Sequence, residues 1–282
     1  MNIWIWILIW TAFFFLVLAP LVIIPTGMYV ILLVRTRKSK WTRKCSLPRD
    51  KEITEMFHTG MDWAKRYEAH KREVDVYSGK YHLFGEYFDF GCDRAAIIIA
   101  GRTETLLYSY YFAEPYREAG YNVLVIDNRS HGKSDGRFNS LGYHEHRDIL
   151  RWAQFLHVDC GNRLVFLHGI CIGASNALFA VRSYLRLFTG YDIKNDGPIF
   201  RIDRLRKPIL MLQSKEDKYS LPHRAKDLYA KCPSPKRLVY FEKGAHSHIK
   251  INAPAKYDKV IVDFLREICD NKTVPDSIVG DT

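Results

Sequence analysis

The 282-residue chain has only six cysteines (45, 92, 160, 171, 232 and 269), with no C-x-x-C pair among them. Their scatter excludes a zinc ribbon and a disulfide framework, and it suits a reducing compartment. Charged side chains are missing altogether from residues 1–34, and the first is Arg35. Acidic residues are then missing from the basic run Arg35, Arg37, Lys38, Lys40, Arg43 and Lys44. Internal repeats and low-complexity tracts are absent too, which excludes solenoid and array architectures.

The uncharged apolar run is longer than the roughly 20 residues that span a bilayer, so it predicts a transmembrane anchor over 1–34. Trp4, Trp6 and Trp10 suit the far membrane interface, and the basic cluster places residue 35 onward in the cytoplasm by the positive-inside rule. A cleaved signal peptide needs a basic start, a shorter apolar core and a small-residue cleavage site. The start is Met-Asn-Ile-Trp, which argues against one. The expected location is therefore the cell membrane, single-pass, with the remaining domain cytoplasmic.

A formal charge of +11 resembles a nucleic-acid signal, but the six clustered residues leave 36 basic side chains against 31 acidic ones. That balance is ordinary for a soluble domain. Attraction to anionic lipid accounts for the cluster better than phosphate-backbone binding does, so a membrane partner is expected and no nucleic acid.

Residues 35–50 read as a basic juxtamembrane linker and 271–282 as a C-terminal tail. Lys51–Ala69 has helical spacing, with Ile53, Met56, Met61, Trp63 and Ala64 as apolar contacts. Arg72–Tyr77 and Tyr81–Phe90, joined at Ser78-Gly79, suit a hairpin. From Ala95 onward the pattern alternates. Strands are predicted at Ala95–Ala100, Tyr121–Asp127, Arg163–Leu167, Pro208–Gln213 and Arg237–Glu242. Helices are predicted at Thr105–Ala119, Tyr143–His157, Pro222–Ala230 and Pro254–Asp270. Alternation of this kind means an α/β fold with a mostly parallel sheet.

Gly169-Ile170-Cys171-Ile172-Gly173 follows a predicted strand and precedes a helix-like stretch. A residue between two glycines at such a turn fits a nucleophile elbow, although the pentapeptide alone also fits a buried cysteine in a tight turn. Four further segments extend the pattern. They are Ile97-Ile98-Ile99-Ala100-Gly101-Arg102-Thr103, Asp127-Asn128-Arg129-Ser130-His131-Gly132-Lys133-Ser134, Leu212-Gln213-Ser214-Lys215-Glu216-Asp217 and Gly244-Ala245-His246. In this order the five resemble the anchors of the α/β-hydrolase superfamily, over most of residues 50–270. The surroundings are similar to lysophospholipase-like and serine-aminopeptidase-like members, with a nucleophilic cysteine as in the dienelactone-hydrolase branch.

The resemblance implies an α/β-hydrolase domain over 51–270 and the nucleophile–acid–histidine order Cys171, Asp217, His246. Cys171 would attack as the thiolate, His246 would take its proton, and Asp217 would hold the imidazole ring. Backbone N–H groups of Arg102 and Ile172 would donate to the oxyanion. Asp217 is preferred to Glu216 and Asp227 from its place after the strand. His246 is preferred to His248 because Gly244-Ala245 precedes it, as in the family. His168 reads as packed, His131 as part of a structural turn, and Asp127 and Arg129 as ties within their own loop. No metal and no cofactor is implied.

The pattern also departs from the family. Ala100 replaces the usual histidine, Ser130 stands where a glycine is usual, and only Arg182–Lys207 remain where a strand and a lid are expected. Ile199–Leu205 is too charged for a central strand, so a sheet position is vacant or the Pro208 strand slides beside the elbow strand. The expected activity is cleavage of a small-molecule or lipidic ester or thioester through Cys171, His246 and Asp217. The competing expectations are a catalytically impaired membrane-tethered binding or scaffold protein, and an acyltransferase using the same thioester.

Overall fold

A computed structural model describes residues 3–37, 41–45, 48–140, 142–171, 174, 202–270 and 275–280. A hairpin opens the main sheet: β1 (Lys71–Ser78) pairs antiparallel with β2 (Tyr81–Phe88), and Gly79 turns between them at φ +60°. β2 pairs antiparallel with β4 (Asn122–Ile126), which lies parallel to β3 (Arg94–Ile99), and β3 lies parallel to β5 (Leu164–Gly169). The order is β1-β2-β4-β3-β5. A second sheet holds β6 (Ile209–Ser214), β7 (Lys236–Phe241) and β8 (Ser277–Val279), all parallel. β8 lies in what the sequence reads as a tail.

β3 and β4 read as unbroken apolar runs because both faces are covered. Ala96, Ile98, Val123 and Val125 face the helices Lys51–Arg66 and Pro254–Cys269, whose Trp63, Tyr257 and Leu265 join the same core. Ile97, Ile99, Leu124 and Ile126 face the helix Glu145–Val158 through Trp152 and Leu156. The first core also takes in Phe166 of β5 and Leu212 and Phe241 of the second sheet, so both sheets pack on one apolar layer.

Among the described residues β5 pairs with β3 and β6 pairs with β7, and no ladder joins β5 to β6. The segment expected to hold a missing strand or lid lies, up to residue 201, outside the described residues. Beyond it, Ile202–Arg204 forms a single 3-10 turn that buries Ile202, with Leu205 and Cys232 beside it.

Two expectations are corrected. The stretch Thr105–Ala119 is not one helix but three short pieces, Leu106–Ser109, Tyr110–Phe112 and Glu114–Glu118. Pro115 has no N–H to continue the preceding turns and sits instead at the start of the last piece. On Lys51–Arg66 the buried row is Ile53, Met56, Gly60, Trp63 and Ala64, with Met61 exposed. A Cβ on Gly60 would lie 2.9 Å from the Tyr111 nitrogen, so that helix packs backbone to backbone there.

The N-terminal segment, expected to be a transmembrane anchor, comes in three helical pieces. It is helical over Ile3–Phe13, π-helical over Phe14–Leu18 and helical again over Ala19–Leu33. The Ala19 N–H reaches back to the Phe14 carbonyl, which widens the turn just before Pro20, a residue that cannot donate. Among the described residues no helix is long and apolar enough to cross a membrane. The basic linker, expected to serve lipid, is partly folded into the domain. Arg43 Nη1 donates to Glu86 Oε1 at 3.1 Å, and its Nε and Nη2 donate to Asp127 Oδ2 at 3.2 and 3.1 Å. Both carboxylates are buried, and stripping a buried charge of its partner costs about 3–5 kcal/mol, so this arginine is committed to the fold.

Candidate active site

The chemistry-bearing segments all leave the C-terminal ends of parallel strands, the edge at which open α/β sheets bind ligands. β5 ends at Gly169, and two residues later Cys171 has φ +55°. A side chain with a Cβ held there carries about 1–3 kcal/mol of strain, the mark of a sharp turn at the end of a strand. The Ala174 N–H bonds the Cys171 carbonyl at 3.1 Å, and the Ile170 N–H bonds the Ile99 carbonyl at 3.0 Å. The elbow is thereby pinned to the adjacent strand. The Cys171 side chain is exposed.

Cys171 Sγ lies 3.0 Å from His246 Nε2, and His246 Nδ1 lies 2.8 Å from Asp217 Oδ2. The other Asp217 oxygen accepts the Tyr219 and Ser220 N–H groups, both at 2.8 Å. Each carboxylate oxygen of this buried residue therefore has a donor. The His246 imidazole is pushed up to about 9, first by its hydrogen bond with Cys171 and then by Asp217, against the opposing pull of burial.

The rivals are occupied elsewhere. Glu216 Oε2 accepts the Gly244 N–H at 2.9 Å and clasps the acid loop to the histidine loop. Asp227 pairs with Arg224 on an exposed helix face. His248 is buried and bonds Glu52 at 3.0 Å. Gly244 stands at φ +119°, where a Cβ would come 3.0 Å from the His248 carbonyl, so the turn before His246 requires glycine. His168 is enclosed beneath the elbow, its Nε2 3.1 Å from the Tyr257 hydroxyl, and burial lowers its pKa to about 3.

The turn after β3 lies beside the nucleophile: a Cβ on Gly101 would stand 3.6 Å from that of Cys171. Three side chains grip this turn. Asn128 Nδ2 donates to the Ala100 carbonyl at 3.1 Å, and Glu104 Oε2 accepts the Gly101 N–H at 3.0 Å. His131 Nε2 bonds the Arg102 carbonyl. Burial pushes the Glu104 carboxyl above its ordinary range, against the Gly101 N–H and the nearby His246 and His248. Arg102 is thus at the site, while Ile172, the other expected oxyanion donor, lies outside the described residues.

Asp127 and Arg129 tie down their loop, as their positions imply. Asp127 accepts the Leu106 and Lys133 N–H groups at 2.9 and 3.0 Å, and Arg129 makes a two-pronged bond to Asp148 at 2.6 and 2.7 Å. Ser130 takes φ +66° where the family has glycine.

Sequence reasoning misses three participants. Glu104 has no motif to announce it. Tyr219 is 87 % exposed with its ring 5.6 Å from that of His246. Trp41 stacks on His131 from within the linker. Among the described residues no group of three or more His, Cys, Asp or Glu is placed to hold a metal ion.

No family model matches the chain. It is 26% identical over 219 residues to the uncharacterized protein YqkD of Bacillus subtilis (strain 168), an alignment covering 62% of this chain and 72% of that protein. Among solved structures it resembles the Pyrococcus furiosus esterase Pf2001 at 17% identity and a TM-score of 0.64, covering 72% of this chain and 93% of the esterase. The α/β-hydrolase of Vibrio vulnificus is 17% identical with a TM-score of 0.53, covering 73% and 85% of the two chains. Est1E of Butyrivibrio proteoclasticus, solved with ferulic acid bound, is 15% identical with a TM-score of 0.54, covering 71% and 98%. With the strand order and the loop placement above, these likenesses give the conclusion that the chain has the α/β-hydrolase fold.

Proposed function

We propose that the protein is a hydrolase that cleaves an ester or thioester through Cys171, His246 and Asp217. The observation that carries this reading is the unbroken contact from the exposed Cys171 sulfur through His246 to the buried Asp217. The esterase Pf2001 among the structural neighbours supports the same class of substrate.

In this mechanism the thiolate attacks the carbonyl carbon and forms a C–S bond, while the oxyanion takes the backbone N–H of Arg102 and, by analogy with the fold, of Ile172. Collapse expels the alcohol or thiol, which takes the proton held on His246. Acylation of the sulfur also removes the hydrogen bond that does most to hold that proton, so the imidazole is left neutral. It then takes a proton from water, whose oxygen attacks the thioester. The C–S bond breaks, the acid leaves, and the starting pair returns.

Alkylation by iodoacetamide tests the nucleophile. Cys171 is expected to react at neutral pH at least ~10-fold faster than any other cysteine. It is the exposed one, whereas burial pushes the Cys92, Cys160 and Cys232 thiols up and Cys45 accepts the Tyr108 hydroxyl. His246 carries its proton beside the sulfur from its ordinary range up to about 9. The advantage of wild type over His246→Ala should therefore be present below pH 9 and shrink as pH rises through that value. A Cys171 no faster than Cys269 throughout would sink the reading and favour a binding or scaffold role.

We further propose that the N-terminal segment anchors the protein in a membrane with the hydrolase domain cytoplasmic. Its side chains from Ile3 to Leu16 are apolar apart from Thr11 and exposed, Leu8 and Leu16 at 69 % and 77 %. Such a surface needs a cover. The full-length chain is expected to float with phosphatidylcholine vesicles even in high salt, because apolar contact and not charge holds it. A C-terminal reporter that works only in the cytoplasm should be active. Recovery in the dense fraction counts against the anchor, and a silent reporter against the orientation.

A further inference from the structure

The stretch after the apolar helix runs back over the domain as a strap, Leu33–Arg37 and Trp41–Cys45. Its first part pairs with the 137–139 segment: the Arg35 N–H bonds the Arg137 carbonyl at 2.7 Å, and the Asn139 N–H bonds the Leu33 carbonyl at 2.9 Å. Both parts close on the Asp127–Ser134 turn. The Gly132 N–H bonds the Trp41 carbonyl at 2.9 Å, the Arg35 guanidinium donates to the Gly132 carbonyl at 3.1 Å, and Arg43 holds Asp127.

Trp41 is the centre of this contact. It is 7 % exposed, in a left-handed backbone conformation at φ +56°. Its indole lies flat on the His131 ring, centroids 4.5 Å apart and planes 7° off parallel. His131 is wholly buried, with its Nδ1 3.0 Å from the Arg129 carbonyl and its Nε2 on the Arg102 carbonyl. Burial lowers the pKa of the ring, and the neutral form donates from one nitrogen only; with an indole on one face and a carbonyl against each nitrogen, the flat ring has one orientation. That orientation fixes the peptide on the C-terminal side of Arg102, while Glu104 fixes the one on the N-terminal side of Gly101.

We propose that Trp41 is a positioning residue for the Gly101-Arg102 turn, acting through the His131 ring, so that the strap below the apolar helix sets the geometry of the oxyanion site. This rests on the hydrolase reading above. Donors aimed at a developing oxyanion lose much of their effect when displaced by a fraction of an ångström, because their benefit lies in being fixed beforehand. Nothing about ground-state binding of a small ester depends on that aim.

The test is p-nitrophenyl acetate hydrolysis by the full-length chain in detergent, with iodoacetamide alkylation of Cys171 measured alongside. Trp41→Ala is expected to lower kcat about ten- to hundredfold with KM within about threefold. Trp41→Phe, which keeps a stacking ring, should recover most of the loss, and Cys171 alkylation should stay within about twofold in both. If Trp41→Ala does not fold, Trp41→Leu, which keeps apolar volume without stacking, takes its place. An unchanged kcat overturns the proposal. So does a parallel fall in hydrolysis and alkylation, or a Phe variant no better than Ala, since either describes general structural damage. If wild type hydrolyses no ester, the hydrolase reading falls by itself. The strap is then judged by deuterium exchange over residues 100–105: faster exchange in Trp41→Ala upholds it, and unchanged exchange overturns it.

Discussion

Replacing His246 by alanine is expected to abolish ester hydrolysis, by about 10³-fold or more, while His248→Ala changes it by no more than about threefold. The two imidazoles are only two residues apart, but the strained turn between them sends them to different partners. Gly244 and Ser247 both have left-handed backbones, at φ +119° and +67°, and the chain reverses around Ala245-His246. His246 ends 3.0 Å from the sulfur, whereas His248 turns inward to Glu52. Loss of His246 takes away the group that holds the sulfur's proton in the first step and activates water in the second. Loss of His248 takes away one side-chain contact, whose Glu52 partner is 44 % exposed, which is a matter of stability more than of rate. Asp217→Asn should cost less than either loss of Cys171 or loss of His246, because a sulfur–imidazole pair keeps some reactivity without its carboxylate. Initial rates on p-nitrophenyl acetate, with far-ultraviolet circular dichroism to show folded protein, check all three. Equal rates for wild type and His246→Ala would remove the hydrolase reading.

Much of the architecture is legible in the sequence for a local reason. Strands such as Ala95–Ile99 and Asn122–Ile126 are buried on both faces, so they announce themselves as apolar runs without help from distant residues. The residues expected at the site are legible for a related reason: each follows such a run by a few positions, and a parallel sheet gathers its strand ends at one edge. What fails is whatever depends on partners remote in sequence. A basic run after an apolar segment looks the same whether it meets lipid or buried carboxylates. Arg43 meets Glu86 and Asp127, which lie 43 and 84 residues away. Trp41 lies in that run, and nothing near it in sequence names His131. Glu104 follows the Gly101 turn by three residues, but a lone glutamate in a loop has no pattern. The broken helix at 105–119 is a different kind of miss. Pro115 stands in plain sight within an apolar run of helical spacing, and its missing N–H ends the preceding turns.

The Asp127–Ser134 turn links these parts, and Gly132→Ala is expected to be the most damaging single methyl group that can be added to it. Gly132 has φ +49°, and a Cβ there would lie 2.0 Å from Asp127 Oδ2 and 2.3 Å from its Cγ. The carboxylate cannot move aside cheaply. It accepts the Leu106 and Lys133 N–H groups and the Arg43 guanidinium, all from inside a fully buried position. Displacing it would strand two backbone donors and a cation together. With about 1–3 kcal/mol for each stranded group and about 1 kcal/mol for the left-handed alanine, the loss should reach at least ~3 kcal/mol. Gly79→Ala is the matched comparison. That glycine also has a positive φ, +60°, but a Cβ there meets nothing within 4 Å, so only the backbone term of about 1 kcal/mol applies. Urea unfolding of the full-length chain in detergent should separate the two by about 2 kcal/mol or more. The same displacement would loosen Asn128 and His131, the two side chains of this turn that grip Ala100 and Arg102. Whatever Gly132→Ala protein folds should therefore hydrolyse esters more slowly per folded molecule than Gly79→Ala does. Similar midpoints for the two variants would mean that the carboxylate has room to yield, and the turn would then lose its claim to be the rigid link between strap and site.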